Sequence, residues 1–150
     1  MMQNNRIILM ERYHVSQVAE LEKLCFADPW SEESVGSELD NPLSLWLVAV
    51  EDEAVTGYIG SQAVMDEADI MNVAVHPAYR RKGITEALME SLQVRLAQTG
   101  VHSLTLEVRP SNEAAVSLYH KMGYVQVGRR PNYYHKPKED ALILRKEWEL

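Results

Sequence analysis

The stretch from residue 68 to residue 108 constrains this chain more than any other. Residues 68–75 form an apolar, strand-prone run stopped by His76-Pro77. Ile84, Leu88, Leu92 and Leu96 then recur every four residues until Gly100, a residue suited to a helix C-terminus. Residues 103–108 are extended and apolar again, ending before Pro110. A strand that returns through a helix to the same sheet lands beside a parallel neighbour, by a right-handed crossover. Upstream, residues 45–50 and 54–63 flank the polar turn Glu51-Asp52-Glu53, which predicts an antiparallel hairpin.

The remaining elements follow from punctuation and period. Residues 6–9 suit a first strand. Residues 16–26 read as a helix with Val18, Leu21 and Cys25 on one face and Ser16 as its N-cap. Pro29 or its neighbour opens a second short helix through Leu39, ended by Asn41-Pro42. Ser111 is read as the cap of a helix through Met122, terminated by Gly123. Residues 124–129 and 141–145 complete the strands. The order β-α-α-β-β-β-α-β-α-β-β predicts an α/β (mixed α+β) fold, one mixed sheet with helices on both faces. No repeat or linker divides it, so residues 1–150 are read as a single domain.

Apolar residues at 46% and charged residues at 25% are the balance of a globular protein. Runs such as residues 45–50 are too short to span a membrane, and Met1-Met2-Gln3-Asn4-Asn5-Arg6 has no apolar core of a secretory leader. With one cysteine, no internal disulfide forms, and the expected compartment is the cytoplasm. A net charge of −7 argues against a partner held through a general phosphate field; it permits a small anionic ligand at a local basic patch and favours a basic substrate by steering, and by itself decides neither. The five histidines lack zinc-ligand spacing, so no metal is expected. Cys25, on the apolar stripe, reads as a small buried hydrophobe and not a nucleophile.

Two clusters carry chemistry. Arg80-Arg81-Lys82-Gly83-Ile84-Thr85-Glu86 joins a strand directly to a helix N-terminus, where unpaired N–H groups, the macrodipole and three cations suit an anion such as a pyrophosphate. It lacks the Walker and Rossmann glycine spacings; a solvated basic turn is the plain alternative. Downstream, Glu107 points away from Leu104, Leu106 and Val108, and Asn112 and Tyr119 lie two turns apart on one helix. Taken singly, these residues read equally as a solvent carboxylate, a helix cap and a packed phenol.

Together the motifs resemble the GCN5-related N-acetyltransferase (GNAT) superfamily. Arg80-Arg81-Lys82-Gly83-Ile84-Thr85 is similar to its acyl-CoA loop, with Thr85 departing from the usual small final residue. Asn72-Val73-Ala74-Val75-His76-Pro77 is similar to its fourth strand. The run from Leu106 to Tyr119, with Phe26-Ala27-Asp28-Pro29-Trp30-Ser31 and Asn132-Tyr133-Tyr134, resembles the ribosomal-protein alanine N-acetyltransferase (RimI) branch, which acetylates the N-terminal alanine of small-subunit ribosomal protein S-eighteen.

The resemblance implies acetyl-CoA as co-substrate and a protein N-terminus as acceptor, with neither nucleic acid nor membrane as partner. It implies Glu107 as base and Tyr119 as acid. Val73, Ala74 and Val75 would hold the acetyl and pantetheine arm, and Arg81, Lys82, Gly83, Ile84, Thr85 and Glu86 the pyrophosphate. Asn112 would bond the cofactor, and Trp30, Tyr133 and Tyr134 would wall the acceptor site. Trp30 as a helix staple and the tyrosines as strand-edge packing remain open. So do a different amine acceptor and a non-catalytic acyl-CoA sensor.

Overall fold

The computed structural model describes residues 5–150. Seven strands form one sheet in the order β1-β2-β3-β4-β5-β7-β6. They are β1 (Asn5–Leu9), β2 (Ser44–Glu51), β3 (Ala54–Val64), β4 (Glu67–Val75), β5 (Ser103–Val108), β6 (Val125–His135) and β7 (Lys138–Glu147). Four α-helices accompany them: α1 (Val15–Cys25), α2 (Glu32–Ser37), α3 (Ile84–Gln98) and α4 (Glu113–Lys121). The element order matches the one expected from the sequence. Every strand pair is antiparallel except β4 with β5, the pair that α3 connects.

Alternation along β2 divides the interior. Leu47 and Ala49 face α3, packing with Ile59, Leu88 and Leu92, whereas Trp46, Val48 and Val50 face α1 and α2, packing with Val18, Leu21 and Val35. Helices on both faces cover the central strands, so β2 and β3 are buried almost without interruption.

Four boundaries differ from expectation, each for a local reason. Ser16 lies inside α1; His14 occupies the N-cap position and makes no side-chain cap. Pro29 stands outside α2, which starts where Ser31 Oγ accepts the Ser34 amide at 3.0 Å. Asn112, not Ser111, caps α4 by accepting the Ala115 amide at 3.3 Å, because Ser111 Oγ donates to Glu139 at 2.8 Å. Finally, β6 and β7 run well past residues 124–129 and 141–145. Pro131 and Asn132 (φ +54°) sit in a register shift of β6, and an edge strand tolerates the lost donor there.

One glycine is fixed by packing. Gly60 faces Trp46 across the β2–β3 ladder, and a Cβ on it would lie 2.3 Å from the indole. Trp46 is buried and stacks on Tyr58 with ring centres 5.8 Å apart, so the indole has nowhere to retreat. Gly60→Ala is expected to destabilise the fold by about 1–3 kcal/mol through overpacking. Chemical denaturation with an unchanged midpoint would contradict that packing.

Candidate active site

Parallel pairing between β4 and β5 lasts only three residues: Glu67, Ala68 and Asp69 against Ser103, Leu104 and Thr105. Beyond Asp69 the strands part, and a cavity of about 580 Å³ opens between them. Its walls include Asn72 and Val73 of β4, Glu107 of β5, Tyr119 of α4, Trp30 from the α1–α2 loop and Tyr133 and Tyr134 of β6. The split leaves the backbone edge of upper β4 without a strand partner. The His76 amide points to Thr56 O, so alternation turns the Val75 and Val73 peptide groups to the open edge. There the Val75 carbonyl takes Arg80 Nε at 3.2 Å, and the Val73 amide is met by Asn72 Oδ1 at 3.2 Å. Ala74 faces the other way, pairing with Tyr58 and packing in the α1-side core.

Glu107 and Tyr119 face this one cavity from adjoining elements. Arg130 Nε lies 3.0 Å from Glu107 Oε2, an ion pair between β6 and β5. The guanidinium N–H is not aimed at that oxygen, which is buried and has no hydrogen bond. Tyr119 is 5% exposed, and burial pushes its hydroxyl up to about 12. Its ring meets Tyr124 edge-on at 6.0 Å. The phenol is therefore a proton-bearing group at neutral pH, with its ring locked by packing.

The side of the cavity formed by β6 and the α1–α2 loop is aromatic. Tyr133 and Tyr134 meet edge to face at 5.0 Å, and Arg109 lies over the Tyr134 ring at 4.2 Å. Burial, then the Glu107 charge, raises both tyrosine hydroxyls, that of Tyr134 to about 12. Trp30 packs against Trp46 at 5.5 Å and lines the cavity, so it both fixes the α1–α2 loop and presents a wall. Lys136 Nζ reaches Asp28 at 3.3 Å and ties that loop to the β6–β7 hairpin. Asn112 caps α4 at the cavity's edge.

At the start of α3, Arg81 (φ +65°) and Gly83 (φ +76°) both adopt the left-handed conformation. A Cβ on Gly83 would meet nothing within 4 Å, so the glycine serves the turn and leaves open approach to the backbone. The first helical bond is Ala87 N–H to Gly83 O at 3.0 Å; the Ile84, Thr85 and Glu86 amides precede it and have no acceptor within the helix. Arg81 and Lys82 are exposed beside them, and Thr85 is half-buried in the first turn. Glu86 approaches Lys121 at 4.0 Å, setting this loop against the end of α4. The residues present suit an elongated thiol ester with an anionic tail: an unpaired strand edge, then unpaired amides flanked by cations.

Two features of the site were missed in the sequence. Cys25 is not a buried hydrophobe; it is half-buried, lines the cavity and places Sγ 3.6 Å from Arg80 Nη2. Glu22 is fully buried and bonded to Tyr58 and Asn72. Its signal was available: with Val18, Leu21 and Cys25 it completes an i, i+3, i+4, i+7 face, a carboxylate on an apolar stripe. Among the described residues, no group of three or more His, Cys, Asp or Glu could hold a metal ion.

Comparison with known proteins agrees with this architecture. The acetyltransferase (GNAT) family model matches residues 15–124. A Salmonella typhimurium [ribosomal protein bS18]-alanine N-acetyltransferase is 36% identical over 143 residues, covering 93% of this chain and 95% of its own. The crystal structure of the Escherichia coli ribosomal-protein alanine N-acetyltransferase superposes with a TM-score of 0.90 at 34% identity, over 97% of this chain and 95% of that one. Arabidopsis thaliana NAA60 in complex with acetyl-CoA shares the fold alone, at a TM-score of 0.88 and 16% identity over 96% and 98% of the two chains. The chain belongs to the GNAT acetyltransferase family. Within it, the chain falls in the branch of the ribosomal-protein alanine N-acetyltransferases, the RimI proteins. Among the described residues, no helix is long and apolar enough to cross a membrane.

Proposed function

We propose that residues 1–150 act as one N-acetyltransferase domain. It moves the acetyl group of acetyl-CoA to the α-amine of a protein N-terminus, specifically the N-terminal alanine of ribosomal protein S-eighteen. The reading rests on one observation: Glu107 and Tyr119 face the same cavity, beside an unpaired β4 edge that leads to the α3 amides.

In this reading the Val73 and Val75 peptide groups hold the acetyl and pantetheine arm, with Ala74 between them keeping the strand on β3. The amides and cations of Arg81 to Glu86 hold the diphosphate, and Asn112 bonds the arm beside α4. The acceptor enters between Trp30 and the Tyr133–Tyr134 pair. An α-amine has a pKa of about 8 and is mostly ammonium at neutral pH, so it must lose a proton before attack. Glu107 receives that proton, directly or through a water. Arg130 now occupies the cation position beside Glu107, and the arriving ammonium replaces it. The amine nitrogen bonds the acetyl carbon, the carbon–sulfur bond breaks, and the departing thiolate takes the Tyr119 proton. The second proton of the amine nitrogen, shed as the amide forms, returns the phenol to its protonated state.

The acidic chain suits a basic acceptor segment and not nucleic acid or an anionic membrane surface. A ribosomal acceptor sets the reaction in the cytoplasm. Ribosomal protein S-eighteen with its native alanine, incubated with acetyl-CoA, is expected to gain one acetyl group at the α-amine by mass spectrometry. Peptides beginning with Ala, Ser, Met or Gly should react unequally, Ala fastest. Equal rates would remove the alanine specificity, and no transfer to any amine would leave an acyl-CoA sensor.

A further inference from the structure

Glu22 is the most buried acidic side chain in the protein, 0% exposed, and none of the ion pairs among the described residues involves it. A sealed carboxyl group without a counter-charge is expensive unless donors converge on it. Three do. The Trp30 backbone N–H donates to Oε1 at 2.8 Å, Asn72 Nδ2 to Oε2 at 2.6 Å, and the Tyr58 hydroxyl also to Oε2. Burial and the neighbouring Glu22 charge hold the Tyr58 hydroxyl well above its ordinary value, so it remains a donor.

These donors come from three different parts of the cavity's surroundings. Trp30 lies on the α1–α2 loop, Tyr58 on β3 and Asn72 on β4. Trp30 and Asn72 line the cavity, while Glu22 and Tyr58 do not. Asn72 carries the connection one step further, since its Oδ1 meets the Val73 amide at 3.2 Å on the open strand edge. The Trp30 ring is held separately, against Trp46, which stacks on Tyr58. One carboxyl group thus joins the acceptor wall to the strand that carries the acyl arm.

We propose that Glu22 is a positioning residue for the acceptor, fixing the Trp30 loop and the Asn72 side chain in the one arrangement that admits an N-terminal amine. The inference rests on the N-acetyltransferase reading above. A glutamine in its place brings one acceptor oxygen and one donor nitrogen to three donors. The oxygen satisfies most donors where Asn72 and Tyr58 meet it, so the nitrogen faces the Trp30 N–H, donor against donor, and the α1–α2 loop loses its anchor while the Val73 edge keeps Asn72 Oδ1.

The test is steady-state acetyl transfer to an alanine-initial peptide by wild type, Glu22→Gln, Trp30→Ala and the double variant, with acetyl-CoA affinity measured by calorimetry. Glu22→Gln is expected to raise the peptide KM about tenfold, the worth of one hydrogen bond to a charged group, while acetyl-CoA affinity stays within roughly twofold. The double variant should be no worse than Trp30→Ala alone, because the carboxyl group acts through that loop. Should Glu22→Gln fail to fold, Tyr58→Phe removes one donor at almost constant volume and should show the same split in smaller measure. Equal loss of both substrates, additive effects in the double variant, or an unchanged peptide KM would overturn the inference while leaving the acetyltransferase reading intact. A wild type that acetylates no amine would overturn that reading, and this inference with it.

Discussion

Glu107→Gln is expected to lower turnover on an alanine-initial peptide on the order of 10²-fold or more while acetyl-CoA still binds. A 10²-fold loss corresponds to about 2.7 kcal/mol of transition-state stabilisation. The substitution keeps the shape of a half-exposed β5 side chain and removes its ability to take a proton, so the sheet pairing of Glu107 with Ile143 is preserved. Two controls sharpen the result. Calorimetric titration with acetyl-CoA should be unchanged, because the acyl arm is assigned to β4 and α3. Raising the pH should recover part of the lost rate, since a larger share of the amine then arrives without its proton. Full activity in Glu107→Gln would remove this residue from the chemistry and turn attention to an amine deprotonated by solvent alone.

Tyr119→Phe is expected to reduce turnover by a similar factor, on the order of 10²-fold, for a different reason. A departing thiolate with pKa about 8.5 is a tolerable but poor leaving group, and the phenol improves it by supplying a proton. An acetyl donor with a more acidic thiol should therefore restore rate to Tyr119→Phe and not to Glu107→Gln. The ring stays, so the edge contact with Tyr124 and the packing beneath β5 stay too. If both variants respond alike to the better leaving group, the division of roles fails.

The buried phenols also set an alkaline limit on stability. Burial raises Tyr119 to about 12, and Tyr58, Tyr124 and Tyr134 are raised as well. The folded state thus favours the neutral phenol, while the unfolded chain ionises near pH 10. That contribution is complete below about pH 10 and is lost as pH rises toward 12, where the unfolded state has released the proton first. Denaturation midpoints followed by circular dichroism should fall across that window, and Tyr119→Phe should lessen the fall. A midpoint flat to pH 12 would contradict the burial of these rings.

The helix start at Gly83, the crossover through α3 and the downstream cluster of Glu107, Asn112 and Tyr119 were legible in the sequence because each depends on local rules. Glycine at positive φ, a four-residue apolar period and strand alternation act within a few residues of each other. Strand lengths at the β6–β7 edge were not legible, because an exposed edge strand needs no apolar pattern and the Pro131 irregularity looks like an end. Ser111, the cap that local sequence predicts, yields to Asn112 because the partner that claims its hydroxyl, Glu139, lies 28 positions away.

What the sequence by itself determined is the order of elements, the two-faced burial of the central strands and the candidate proton-transfer and anion-binding residues. The tertiary structure alone decided where β4 and β5 part after Asp69, since that depends on how far two distant strands stay in register under sheet twist. It alone put Arg130 against Glu107 and gathered Trp30, Tyr58 and Asn72 around Glu22, contacts spanning 8 to 50 residues of chain. Hydrogen bonds and ion pairs of that range leave no periodic trace, because only the folded sheet brings their partners within 3 Å or so of each other.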